Sequence, residues 1–219
     1  MQRVFSTLND LIAQGVITDY ALGGSVAFMF YCQPFLTNDT DFFVQMPGSG
    51  LLVSLSPIYA YAAEHNFPLD HEHIVVDDEP VQIIPAPSPL YDEAIATAQQ
   101  RTIEGQNVKV MLPEYLVCTA LNAGRMKDFA KIEKLLEEAE VDLSKLKELI
   151  TRFQLSAQWK RYLVAIGVTD PAFLHLAETK ATWRRAQADK RMEDKLQEIK
   201  KLRTRVSAIR YRNALYRPV

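Results

Sequence analysis

The β-rich character of this chain stops at Pro113. Before it, runs of β-branched and aromatic residues at 20–22, 40–44, 74–76, 81–84 and 108–112 predict short strands. Apolar residues at helical spacing predict helices over 4–12, 26–31, 57–63 and 90–100 between them. Asp77-Asp78-Glu79-Pro80 separates two of the β-runs and reads as a hairpin loop. After Pro113 every apolar stripe is helical, over 113–123, 126–139, 143–153, 157–166 and a last charged segment at 179–211 that contains no Gly or Pro. A chain so ordered is expected to be α+β, with a mixed sheet and flanking helices at 1–112, a helical domain at 113–178 and a long basic C-terminal helix at 179–219.

Charge follows the same division. Of the 219 residues, the first 111 carry 3 basic and 13 acidic side chains, while the last forty carry 13 basic and 4 acidic. An acidic half calls for cations and a basic half for anions, with nucleic acid the usual partner. The competing reading is a solvated helix whose Lys and Arg serve only solubility. The longest apolar stretches, around 20–35 and 51–63, are broken before they could cross a bilayer, so no membrane is expected. The first residues lack a secretory pattern, which points to the cytoplasm. Cys32 and Cys118 are too few for a disulfide framework and read as small buried hydrophobes.

The chemistry gathers at Leu22-Gly23-Gly24-Ser25 and, thirteen residues on, at Asp39-Thr40-Asp41-Phe42. Residues at i and i+2 of a strand share a face, so Asp39 and Asp41 would stand side by side. Two adjacent carboxylates repel unless a cation lies between them, and hard oxygen ligands select Mg²⁺ or Mn²⁺. Gly23 and Gly24 let the backbone approach a bound group, and a helix starting at Ser25 would present amides and a hydroxyl to phosphate. Together these features describe a nucleoside triphosphate (NTP) site for phosphoryl or nucleotidyl transfer.

This constellation resembles the signature of the nucleotidyltransferase fold typified by DNA polymerase β. Val81-Gln82-Ile83-Ile84-Pro85, Pro113-Glu114-Tyr115-Leu116 and Gly124-Arg125-Met126-Lys127-Asp128 resemble the later motifs of the abortive-infection and type IV toxin–antitoxin nucleotidyltransferases and their bacterial relatives, over about residues 15–140. The resemblance implies transfer of a nucleoside monophosphate from an NTP to an acceptor hydroxyl, with RNA, particularly tRNA, as acceptor and a toxin role. Asp39 and Asp41 would hold the metal, and with Lys127 and Asp128 they would act in catalysis. Gly23, Gly24, Ser25, Arg125 and Lys127 would bind the nucleotide, and Asp128 would act as general base or orient a cation.

The chain departs from that pattern at three places. A third carboxylate is expected where Gln82 stands, with Glu72, Asp77 or Asp78 as substitutes from the hairpin. A Lys is expected where the chain has Thr119-Ala120-Leu121, and an Asp in place of Lys131. These changes favour a rival reading, a degenerate fold that binds nucleotide, RNA or protein without turnover. His71 and His73 at i and i+2, with His65 nearby, are the other metal candidates, against a reading as exposed strand histidines. Trp159 and Trp183 read as packing residues. In the terminal segment the stripe from Met192 to Ile209 would suit packing on the helical domain, self-association or an antitoxin, and Arg184, Arg185, Lys190, Arg191, Lys200, Lys201, Arg203 and Arg205 would contact RNA phosphates.

Overall fold

The computed structural model describes residues 1–34, 36–37, 39–48, 54–103 and 105–167. The expected terminal helix at 179–211, with Trp183 and its basic face, lies outside them. The chain divides after Tyr162 into two compact units, Met1–Tyr162 and Leu163–Val219. The strands in chain order are β1 (Asp19–Leu22), β2 (Thr40–Gln45), β3 (Leu69–Asp70), β4 (His73–Val76), β5 (Glu79–Pro85), β6 (Gln99–Ile103) and β7 (Gln106–Val110). The helices are α1 (Gln2–Ala13), α2 (Gly24–Phe28), α3 (Ser56–Glu64), α4 (Pro89–Ala96), α5 (Pro113–Ala123), α6 (Met126–Glu138), α7 (Leu143–Arg152) and α8 (Ser156–Ala165). The seven strands form one sheet in the order β3-β4-β5-β2-β1-β7-β6. It is mixed: β1/β7 and β2/β5 run parallel, the remaining neighbours antiparallel. The expected α+β class is the one found.

Alternation decides which face is which. On β2, Thr40, Phe42 and Val44 are buried, while Asp41, Phe43 and Gln45 are partly exposed on the other side. The apolar face receives α1 and α3, whose Val4, Leu8, Leu11, Ile58 and Tyr61 enclose Ile74, Val76, Val81 and Ile83 around a residual space of only about 10 Å³. Phe5 and Tyr20 meet the Phe42 ring edge-on, at centroid distances of 6.3 and 5.8 Å. The polar face is left for α4 and α5.

Helix α5 is buried along most of its length, from Pro113 to Leu121. A buried Glu114 needs a partner, and its Oε1 accepts the Asp142 backbone N–H at 2.7 Å. Asp142 in turn caps α7 by accepting from the amides of Ser144 and Lys145. Tyr115 donates to Glu93 of α4, which Arg152 of α7 also engages. The Pro-Glu-Tyr-Leu stretch thus ties α5 to both α7 and α4.

Four local expectations are corrected. Gln99 and Gln100 do not prolong α4 but begin β6, an edge strand that pairs with β7 from Gln99↔Val110 to Ile103↔Gln106. The helix expected over 26–31 is the five-residue α2, which begins at Gly24. The β4–β5 hairpin closes through Asp77-Asp78 alone, because both adopt positive φ (50° and 64°), the geometry of a two-residue type I′ turn. His71 lies in the β3–β4 turn with φ 54°, so it shares no strand face with His73.

Candidate nucleotide and metal site

Strand β1 ends at Leu22, and Gly23 extends the pairing by donating its N–H to the Asp41 carbonyl at 2.9 Å. Gly24 then turns into α2 with φ +54°, a left-handed conformation that favours glycine. A Cβ on Gly24 would lie 1.8 Å from Asp41 Oδ2, and one on Gly23 would lie 2.5 Å from the Phe43 ring. The glycine pair is therefore what lets α2 start directly against the acidic strand. Ser25, in the first turn of α2, is buried and borders the cavity that opens there.

Asp41 faces that cavity from β2. Register carries the same row onward: Asp41 stands opposite Gln82 on β5, and Gln82 opposite His73 on β4. Gln82 thus sits beside the acidic pair, where the third carboxylate was expected. Asp39 precedes β2 rather than lying in it, and accepts from Thr37 Oγ1 at 2.9 Å. None of the hairpin substitutes lines the cavity: Asp77 pairs with Arg3 at 2.7 Å, Asp78 shares its turn, and Glu72 is exposed.

The opposing wall comes from α5 and α6. Gly124, with φ +65°, ends α5, and α6 begins two residues later, packed on α5 and α2. Arg125, Lys127 and Lys131 reach the cavity together with Asp128. Asp128 is 2% exposed. It accepts from Arg125 Nε at 2.7 Å and from Lys131 Nζ at 3.2 Å. The bond to Asp128 raises the Arg125 pKa. Thr119 and Ala120 of α5 and an apolar wall of Phe28, Phe43, Ile84 and Tyr91 complete a cavity of about 160 Å³.

The sequence-predicted residues Gly24, Ser25, Asp39, Asp41, Gln82, Arg125, Lys127 and Asp128 all border this one cavity, and Gly23 supports its rim. Lys131, taken in the sequence as a departure, belongs to the set as well. The signal was present: residues 127, 128 and 131 recur at helical spacing on one face of α6.

Electrostatics separate the two walls. Burial, and then the neighbouring charge of Asp39, raise the Asp41 pKa, against the weaker opposing pull of Lys131, Arg125 and His73. A carboxylate so placed gains from a cation between it and Asp39. Hard oxygen donors, a glycine cradle and a buried His73 Nε2 with no hydrogen-bond partner are a donor set that fits a divalent ion. Among the described residues, no group of three or more His, Cys, Asp or Glu side chains is placed to hold a metal ion as it stands.

No protein-family model matches the chain, and no curated protein does. Solved structures are similar to it, two of them as follows. One is an antigenic nucleotidyltransferase-like protein from Paracoccidioides brasiliensis, at 16% identity and TM-score 0.45 over 74% of this chain and 91% of that one. The other is the antibiotic-resistance factor ANT(2'')-Ia, at 15% identity and TM-score 0.45 over 70% of this chain and 91% of that one. Both likenesses are distant. Among the described residues no helix is long and apolar enough to cross a membrane.

Proposed function

We propose that this chain is a divalent-metal-dependent nucleotidyltransferase that moves a nucleoside monophosphate from an NTP to an acceptor hydroxyl and releases pyrophosphate. One observation carries the reading: an acidic pair, Asp39 and Asp41, faces three basic side chains, Arg125, Lys127 and Lys131, across a single glycine-edged cavity. A triphosphate with its metal is the ligand that satisfies both walls at once.

Asp39 and Asp41 hold Mg²⁺ or Mn²⁺. When bound, the ion would supply positive charge to the phosphoryl oxygens as the bond from the α-phosphorus to pyrophosphate breaks, the bond to the acceptor oxygen forms and negative charge builds on the leaving pyrophosphate. Gly23, Gly24 and Ser25 admit the phosphates closely, and Ser25 offers its hydroxyl. Arg125, Lys127 and Lys131 neutralise the triphosphate from the α6 side. Asp128, with both oxygens engaged, aims Arg125 and Lys131 rather than taking a proton. The flat apolar wall of Phe28, Phe43 and Tyr91 suits a nucleobase.

The acceptor we infer is RNA, on the strength of the 13 basic residues in the last forty, and growth arrest with relief by an antitoxin partner would follow from modifying tRNA. Gln82 supports a second reading, in which the missing charge leaves a nucleotide-binding module without turnover. Purified protein incubated with each labelled NTP, Mn²⁺ or Mg²⁺ and total bacterial RNA separates the two. Label on RNA, lost in Asp41→Ala, is the expected result. Metal-dependent NTP binding with no label on RNA or protein supports the binding module and overturns the enzyme.

A further inference from the structure

Resting on the metal site just proposed, the geometry points to His73 as its third protein ligand, in place of the carboxylate that Gln82 does not supply. The site would thereby be two-carboxylate, one-imidazole, and suited to a first-row transition ion such as Mn²⁺ over Mg²⁺.

Three observations converge on His73. The two-residue turn at Asp77-Asp78 sets the β4–β5 register so that His73 lies opposite Gln82, which itself lies opposite Asp41; the three share one face of three adjacent strands. The His73 side chain is 21% exposed, yet its Nε2 atom is buried and has no hydrogen-bond partner. An orphaned buried nitrogen is costly unless something arrives to use it. That nitrogen is 4.0 Å from Asp39 Oδ2, too long for a hydrogen bond and within reach of a shared ion with bonds of about 2.1 Å to each. The three groups are not yet closed around a point, so binding must draw the side chains inward.

The donor set also decides which ion is preferred. Gln82 is neutral and can add at most an amide oxygen. Replacing a third carboxylate by imidazole lowers the ligand charge from −3 to −2 and adds a softer nitrogen donor, which costs Mg²⁺ more than Mn²⁺. His65 and His71 offer no alternative among the described residues: the His65 ring stacks on Tyr61 on the opposite side of the sheet, and His71 is exposed in its turn.

The test is Mn²⁺ titration of the full chain, followed by electron paramagnetic resonance, with pulsed detection of nitrogen coupled to the bound ion. Protein labelled with ¹⁵N only at histidine gives a ¹⁵N coupling in the wild type if a histidine ligates. His73→Gln should lose that coupling and weaken Mn²⁺ binding about tenfold or more, while His71→Gln keeps both. The labelled wild type answers the question even if His73→Gln folds poorly. Mn²⁺ bound in an Asp41-dependent way with no histidine coupling overturns the role of His73 and leaves the proposed function standing. Mn²⁺ that does not bind even with an NTP analogue present overturns both.

Discussion

Two carboxylates face the same cavity, Asp128 fully buried and Asp41 partly so, and the protein treats them oppositely. Asp128 on α6 has a guanidinium at 2.7 Å and an ammonium at 3.2 Å. Asp41 on β2 receives no hydrogen bond or ion pair from the described residues, stands near a second carboxylate, and has its pKa raised by burial and by that neighbour. The first charge is balanced from within the chain, and the second is held in readiness for a cation from outside. A fold concerned only with stability would have replaced Asp41 or paired it directly, because a partly buried carboxylate with no hydrogen-bonded partner opposes folding.

Substitutions at the two positions should therefore diverge. Asp41→Ala should lower nucleotidyl transfer about a thousandfold or more and remove Mn²⁺ binding, measured by label incorporation and titration, with little loss of stability. Asp128→Asn should do the reverse first. It strands Lys131, which is 13% exposed, and should cost about 2 kcal/mol in denaturant unfolding, with a rise in KM for NTP larger than the fall in kcat. Gly24→Ala should cost about 1 kcal/mol from its left-handed backbone and displace the Asp41 carboxylate, so that Mn²⁺ affinity falls although no ligand has changed.

The smallest effect is the most diagnostic of sign. The Asp41 carboxyl titrates above its unfolded value, so the metal-free folded state keeps a proton after the unfolded chain has lost its own. Stability then falls as pH rises through that window and stays lowered above it. Asp41→Asn should remove this fall and raise the metal-free Tm at neutral pH, and saturating Mn²⁺ should raise the wild-type Tm but not that of the variant. A wild type that loses no metal-free stability across that window would show that Asp41 is balanced from within after all.

Helices announced by strong periodicity, such as Val4 to Leu11 in α1 and the stripes of α6 and α7, were legible, as were the glycine turn and both aspartates. What escaped was set by pairing rather than by local pattern. Strand β6 reads Gln99-Gln100-Arg101-Thr102-Ile103 and is almost wholly exposed, so it carries no alternation to detect and exists because β7 offers it an edge. The place of His73 depends on register. A four-residue loop at 77–80 would pair Val76 with Val81 and bring His73 opposite Ile84, whereas the two-residue turn brings it opposite Gln82. Lys131 was legible as a position at helical spacing from Asp128, but its use depends on the Asp128 side chain that holds it at the cavity.

The most direct test of the whole account is calorimetric titration of a non-hydrolysable NTP analogue into wild-type protein and Asp41→Asn, each with and without Mn²⁺. The account predicts that Mn²⁺ tightens the wild-type affinity at least tenfold and that the variant shows no such gain. Equal affinity with and without the ion in the wild type, or a gain that survives in Asp41→Asn, would contradict it.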